Sequence, residues 1–219
     1  MQTRANRTRQ LLLKAAAEAF DDHGYRGTRL QDVVAGRGIS KGALYFHFAS
    51  KERLAAAIVM EQRDLLSRLS SELRDRHPRA IQRLIVLSLR TAGMLQDDPM
   101  VRASTRLACE SHHIGAAIPP LFDHWTDTVR TLLDEAGTQG DLLPEVDTGL
   151  VAEFIIAAII GLRRTREDAK NEDGIARHVM EMWRLLLPGL AVRAHLPEIM
   201  QAIDTYTRQA YRQPCRNGR

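Results

Sequence analysis

Lys41, Gly42 and Tyr45 lie within five residues of one another, and the three types together suit contact with a DNA duplex. An ammonium pairs with a phosphate or a guanine edge. A glycine lets the backbone approach the groove closely. A tyrosine hydroxyl bonds a phosphate while its ring meets a thymine methyl. Ser40 stands directly before them as a helix N-cap, and a helix start presents free N–H groups to phosphate. With their neighbours these residues make one candidate DNA-binding set: Arg29, Ser40, Lys41, Gly42, Tyr45, Phe46 and Lys51.

Such a set works only if a scaffold aims it. Gly38 to Phe48 reads as the turn and second helix of a helix-turn-helix, a motif that seats a short helix in the major groove. Before it, residues 8–23 carry Leu12, Ala16, Ala19, Phe20 and His23 on one helical stripe. Gly24 follows as a left-handed cap, and Tyr25 can fold back on the helix end. Thr28-Arg29-Leu30-Gln31 has the form of a capping box. A second helix is expected over Leu30, Val33, Val34 and Arg37, broken by Gly38. On the third helix Leu44 and Phe48 share a face that can bury with Ile39, opposite Lys41, Gly42 and Tyr45. Ser50 caps a fourth helix.

Charge is distributed accordingly. Residues 1–53 hold ten Lys and Arg against five acids, and the remainder holds 21 against 22, so the basic excess sits at the amino-terminal end. Arg4, Arg7 and Arg9 form an arm that can reach phosphates or a minor groove.

The 219 residues are 44% hydrophobic and rich in Ala, Leu and Arg. Aromatics are few and β-branched runs short, which predicts an all-α fold. The expected organisation is a three-helix helix-turn-helix domain over 1–50, a larger helical ligand-binding and dimerisation domain over 51–212, and a frayed tail over 213–219. Further helices are predicted over 51–75, 79–96, 98–112, 121–136, 148–165, 174–187 and 195–212, with a charged exposed loop at 166–173. The stretch 151–162 is apolar nearly all round, with small residues Ala157, Ala158 and Gly161. Val179, Met182, Trp183, Leu186 and Leu187 form a second stripe. Both are candidates for the seam of a homodimer, which two-fold related half-sites on DNA require.

Other classes find little support. His112-His113 has no carboxylate or Cys at metal-ligand spacing, and adjacent helical side chains point about 100° apart. No serine elbow, Walker loop or dinucleotide fingerprint occurs. No catalytic residue, metal site or cofactor is therefore expected. Cys109 and Cys215 lack ligand-like spacing, the chain opens on no signal peptide, and its longest apolar run is far short of the about 20 residues of a membrane span. A cytoplasmic, nucleoid-associated protein is the expectation, with a small helical enzyme and a non-repressing DNA binder as the other classes.

Residues 8–59, and Ser40 to Leu54 in particular, resemble the DNA-binding domain of the TetR (tetracycline-repressor-like) family. Arg37 departs from that pattern, which usually has a small Ala there, so its guanidinium should point outward. Three segments resemble more narrowly the γ-butyrolactone receptors of antibiotic-producing actinomycetes. They are Ser40 to Glu52, Pro99-Met100-Val101-Arg102-Ala103-Ser104-Thr105-Arg106-Leu107-Ala108, and Phe122-Asp123-His124-Trp125. The resemblance implies a homodimeric repressor of a pseudo-palindromic operator in double-stranded DNA, released by a small hydrophobic inducer. It also implies that Trp125 lines the ligand cavity and that Gln62 and Thr128 meet the ligand's oxygens. Ala158 stands where some lactone-binding members carry a hydroxyl. That leaves open a pseudo-receptor answering to an antibiotic or intermediate.

Overall fold

The computed structural model describes residues 2–115, 118–165, 174–201 and 203–204, with side chains from residue 5 onward. The chain divides into two compact units, one of residues 1–68 and 94–124, the other of residues 69–93 and 125–219. The expected boundary after residue 50 falls inside the first unit. Among the described residues the fold is all-α, with one isolated bridge between Leu142 and Ala191.

In the first unit, α1 (Gln2–Gly27) buries Leu12, Leu13, Ala16 and Phe20 completely. It kinks at Gly24, whose φ of 68° and ψ of 179° only glycine adopts cheaply. Tyr25 then stacks on Phe20 with ring centroids 6.1 Å apart, the fold-back that the sequence predicts. The second helix of the motif is shorter than expected, a single 3-10 turn over Asp32–Val34. Gly36 and Gly38, at φ 70° and 68°, bracket Arg37 and end it early. The capping box does not form either. Thr28 is buried, and its hydroxyl donates backward to the carbonyls of Ala19 (3.0 Å) and Gly24 (2.8 Å), so it ties off α1 instead of opening a helix. After α2 (Lys41–His47), α3 (Lys51–Arg76) begins in this unit and ends in the second.

The expected helix over 98–112 is two helices, α5 (Pro99–Cys109) and α6 (Ser111–Ile114), parted at Glu110 by a φ of −90° and ψ of 6°. Asp98 caps α5, accepting from the Met100 amide at 2.8 Å. Burial of Val101, Ala103, Leu107 and Ala108 gives α5 its apolar face, which packs along α1.

The second unit takes most of α4 (Ala80–Asp97) and α7 (Leu121–Thr138), then α8 (Thr148–Thr165) and α9 (Ile175–Leu190). Trp183 on α9 is fully buried, and its indole N–H donates to the Ser88 hydroxyl on α4 at 2.7 Å. Arg83 on α4 pairs with Glu135 on α7. Arg79 grips the fully buried carboxylate of Asp141 with two guanidinium nitrogens. Pro188 does not stop α9, which runs to Leu190. In a last turn, the missing proline N–H costs a single bond. Residues 196–201 are helical; the rest of the predicted last helix beyond 204 and the charged loop at 166–173 lie outside the described residues.

Candidate nucleic-acid interface and ligand site

The candidate reading face is built on α2. Ser40 (φ −74°, ψ 149°) leaves the helix at its start, and its hydroxyl accepts from the Ala43 amide at 3.1 Å. Leu44 and Phe48 are buried and fix the rotation of the helix. The opposite face is left to solvent: Lys41 and Gly42 are exposed, Tyr45 is 55% exposed and Phe46 81%. Phe46 and Tyr45 thus stand side by side and bare on the same face as Lys41. A Cβ at Gly42 would meet only the Ser40 hydroxyl, 3.9 Å away, so the protein's own packing does not require glycine there. Arg29 is exposed, and neither its side chain nor that of Lys41 has an ion pair or hydrogen bond among the described residues.

Lys51 stands differently. Its ammonium donates to the carbonyls of Tyr25 (2.9 Å) and Thr28 (3.0 Å) and lies 4.1 Å from the Tyr25 ring centroid. Two of its three N–H groups are thereby committed to the turn between α1 and the 3-10 segment. Arg37 points outward as expected and pairs with Glu18 on α1.

Behind the reading face, α5 clasps the end of α1. Arg102 pairs with the Asp21 carboxylate at 2.8 Å, Arg106 donates to the Asp21 carbonyl at 2.5 Å, and Glu110 accepts from the Tyr25 amide at 2.8 Å. Arg106 and Glu110 also pair with each other at 3.1 Å. The Tyr25 hydroxyl donates to Glu52 at 2.5 Å. That bond chiefly, aided by the Ser50 hydroxyl, lowers the Glu52 carboxyl to about 2. Burial, then the same bond and the same negative charge, push the Tyr25 phenol up. Sequence reasoning did not find this clasp, because nothing local pairs residue 21 with 102 or 25 with 110. The adjacent arginines at i, i+4 on α5 were its only signal.

Of the expected ligand-binding residues, Gln62 lies in the first unit and Trp125 and Thr128 in the second. Gln62 is 0% exposed, and neither its amide oxygen nor its amide nitrogen has a hydrogen-bond partner. Trp125 is 3% exposed, and Thr128, one turn on, is half-buried. The His112 and His113 rings are tilted to each other with centroids 3.7 Å apart, and the His113 ring meets the Arg26 guanidinium at 3.0 Å. No group of three metal-ligating side chains occurs among the described residues. Among them, too, no helix is long and apolar enough to cross a membrane.

On the second unit, α8 and α9 are in contact, and each leaves apolar side chains uncovered. Leu150 is 65% exposed, Phe154 55% and Leu185 81%, and Ala157 and Gly161 continue the α8 strip. The stretch 151–162 is therefore not buried all round within one chain: Ile155, Ile156 and Ile159 face inward and Phe154 faces out.

Comparison with known proteins gives concordant results. Residues 12–58 match the family described as bacterial regulatory proteins, tetR family, and residues 78–192 match the tetracyclin repressor-like C-terminal domain. The A-factor receptor protein of Streptomyces griseus is 33% identical over 198 residues, covering 89% of this chain and 69% of the receptor. A crystal structure of a γ-butyrolactone receptor described as ArpA-like superposes with a TM-score of 0.82 at 31% identity, covering 94% of this chain and 99% of that one. CprB from Streptomyces coelicolor, in complex with its operator sequence, superposes at 0.79 with 30% identity over the same shares.

Proposed function

The chain belongs to the TetR family of bacterial transcription regulators, and from that premise we propose that it is a ligand-responsive repressor of the γ-butyrolactone-receptor type, controlling genes of secondary metabolism. It acts by binding and not by catalysis, in the cytoplasm. Two copies associate through the exposed strip of α8 and α9, and their α2 helices enter successive major grooves of a pseudo-palindromic operator. Arg29, Lys41, Tyr45 and Phe46 meet the DNA, Ser40 and Gly42 bring the helix close, and the remaining N–H of Lys51 is available to a phosphate. A small hydrophobic inducer sits against Trp125, with Thr128, one turn on, answering its oxygens. It lowers operator affinity by its preference for a second form of the dimer, a coupling of about 1–3 kcal/mol in typical cases.

The observation that carries this reading is α2, a helix of seven residues that buries Leu44 and exposes Lys41, Gly42, Tyr45 and Phe46 together. The test is a gel-shift titration on the DNA flanking the protein's own gene. Lys41→Ala and Tyr45→Ala should bind more weakly than wild type while melting at the same temperature. Unchanged binding by both would overturn the assignment of α2. Ala158, which brings no hydroxyl to α8, favours an antibiotic or biosynthetic intermediate as a second reading of the inducer. Release of DNA by such a compound, and not by a γ-butyrolactone, distinguishes the two.

A further inference from the structure

We propose that the first unit carries a second effector site, for a small amphiphilic carboxylate, in the cavity between α1, α3 and the start of α5. The cavity measures about 480 Å³ and is lined entirely from that unit. Its size lies in the range of small-molecule sites, roughly 300–1,000 Å³. It goes beyond the inducer site proposed above, since Trp125 and Thr128 are not among its walls.

Three features define the guest. First, Gln62 lines the cavity while fully buried and without a partner at either end of its amide. A buried amide left unpaired is costly, and a guest that both donates and accepts removes that cost. Second, Leu11, Leu65 and Met100 give an apolar wall, and Leu11 remains half exposed at 50% although apolar. Third, the charges do not balance. Of the two carboxylates in the lining, Glu61 is paired with Arg9 at 2.9 Å and Asp98 is spent capping α5. The charged side chains of Arg7, Lys14 and Arg68 have no ion pair or hydrogen bond among the described residues. A molecule with an apolar body, a carboxylate for these cations and a polar group for Gln62 satisfies all three.

The location gives such a guest a consequence. The helix α1 supplies Leu11 and Lys14 to the cavity and, at its other end, carries the Asp21 carboxylate held by Arg102 on α5. A guest wedged between α1 and α3 bears on the helix that supports the reading face.

The experiment uses the full-length protein, with octanoate and octan-1-ol as probes, followed by calorimetry and by amide chemical shifts. Octanoate should bind saturably, shift residues of α1, α3 and α5, and bind about tenfold or more tighter than octan-1-ol, as one charge-assisted contact implies. Charge reversal at two exposed positions, Lys14→Glu with Arg68→Glu, should weaken octanoate about tenfold or more, with little effect on octan-1-ol. Leu65→Trp, checked for folding by its thermal melt, should abolish both. Trp125→Ala should leave octanoate binding unchanged. Absence of binding, equal affinity for the two probes, or indifference to the charge reversal overturns the proposal. So does loss of octanoate binding in Trp125→Ala, which would move the probe to the inducer site. Failure of the inducer reading alone shows instead as Trp125→Ala releasing DNA like wild type while the octanoate results stand.

Discussion

Lys51 holds Tyr25 twice over: its ammonium lies 4.1 Å from the centroid of the ring and donates to the same residue's carbonyl at 2.9 Å. The lysine opens α3 and the tyrosine closes α1, so one side chain joins the two helices that flank the reading motif. Lysine's compact, multiply donating head suits this double contact, and the planar fork of arginine does not. Lys51→Met should therefore cost about 1–3 kcal/mol, the scale of hydrogen bonds to a charged donor plus a cation–π contact. Lys51→Arg should not restore it. The measurement is a urea or thermal melt. Lys41→Ala is the contrast: it should leave the melt unchanged and weaken DNA binding, with the salt slope falling by about one for each phosphate no longer neutralised. A normal melt for Lys51→Met would dismiss its role as a clamp.

Gly24 makes a second testable point in the same joint. Its backbone lies where φ is positive and ψ extended, a region held almost only by glycine. A Cβ there would come within 2.8 Å of the Arg106 guanidinium and 2.9 Å of the Glu110 carboxylate. Gly24→Ala thus incurs backbone strain of about 1–3 kcal/mol and displaces the clasp as well. It should be more destabilising than Gly42→Ala, where a Cβ meets nothing nearer than the Ser40 hydroxyl at 3.9 Å. Comparative melts of the two variants check this, and Gly42→Ala should lose operator affinity with little change in stability.

The Tyr25–Glu52 bond predicts a pH dependence. Glu52 titrates at about 2 in the fold against an ordinary 4.5. A depressed carboxylate contributes stability that is complete above its unfolded value and is lost as pH falls through its folded one. The contribution is thus present above pH 4.5 and disappears between there and about 2. Tyr25 works on the alkaline side: its raised phenol contributes below its ordinary value and loses that contribution as pH rises past it. Glu52→Gln should melt lower than wild type at pH 7, and the gap should close as pH is taken from 4.5 towards 2. A gap that stays constant through this window would detach Glu52 from acid stability.

These joints also show where sequence reasoning reaches and where it stops. The stripe of Leu12, Ala16 and Phe20, the Ser40 cap and the Leu44/Phe48 face were legible because each is set within one or two helical turns. The outward turn of Arg37 was legible too. The second helix of the motif was not, although Thr28 and Gln31 have the spacing of a capping box. The Thr28 hydroxyl had a better offer from the carbonyls that α1 leaves behind, and two glycines in the left-handed region cut the helix to one turn. The clasp of Arg102, Arg106 and Glu110 on α1 spans some eighty positions and leaves no local signature. The ligand residues Gln62, Trp125 and Thr128 were singled out by the family resemblance and not by periodicity. The burial of Gln62 without a partner is a property that only a folded chain possesses.

Substitution at Trp125 tests the proposed sensing role apart from DNA binding. Its indole is buried in the second unit, and none of the candidate DNA-binding residues belongs to that unit. Trp125→Phe keeps an aromatic wall and should keep the response to inducer at a higher dose. Trp125→Ala should bind operator like wild type and lose release. The coupling at stake is about 1–3 kcal/mol, so inducer that weakens wild-type operator binding by about 5- to 150-fold should leave that of Trp125→Ala nearly unchanged. A gel shift on the operator with inducer titrated in reads this directly. Release by Trp125→Ala at the wild-type dose would remove Trp125 from the inducer site.

The strip on α8 and α9 predicts how the protein depends on its own copy. Leu150, Phe154, Ala157 and Gly161 recur at helical spacing on the outer face of α8, and Leu185 stands almost bare on α9. A monomer would hold these in water at roughly 25 cal/mol for each Å² of apolar surface, whereas a two-fold partner covers both copies of the strip at once. Small residues beside Phe154 let the facing helix come close, so the aromatic can act as an anchor with a pocket to fill. Phe154→Glu would bring two carboxylates near the two-fold axis and leave them desolvated without a cation. It should shift the protein from dimer to monomer in sedimentation equilibrium while each chain retains its helical signal. Operator affinity should then fall far more than for Leu150→Ala, because losing one reading head also loses the effective concentration that a tethered pair provides. If Phe154→Glu remains dimeric at micromolar concentration, the seam lies on another face.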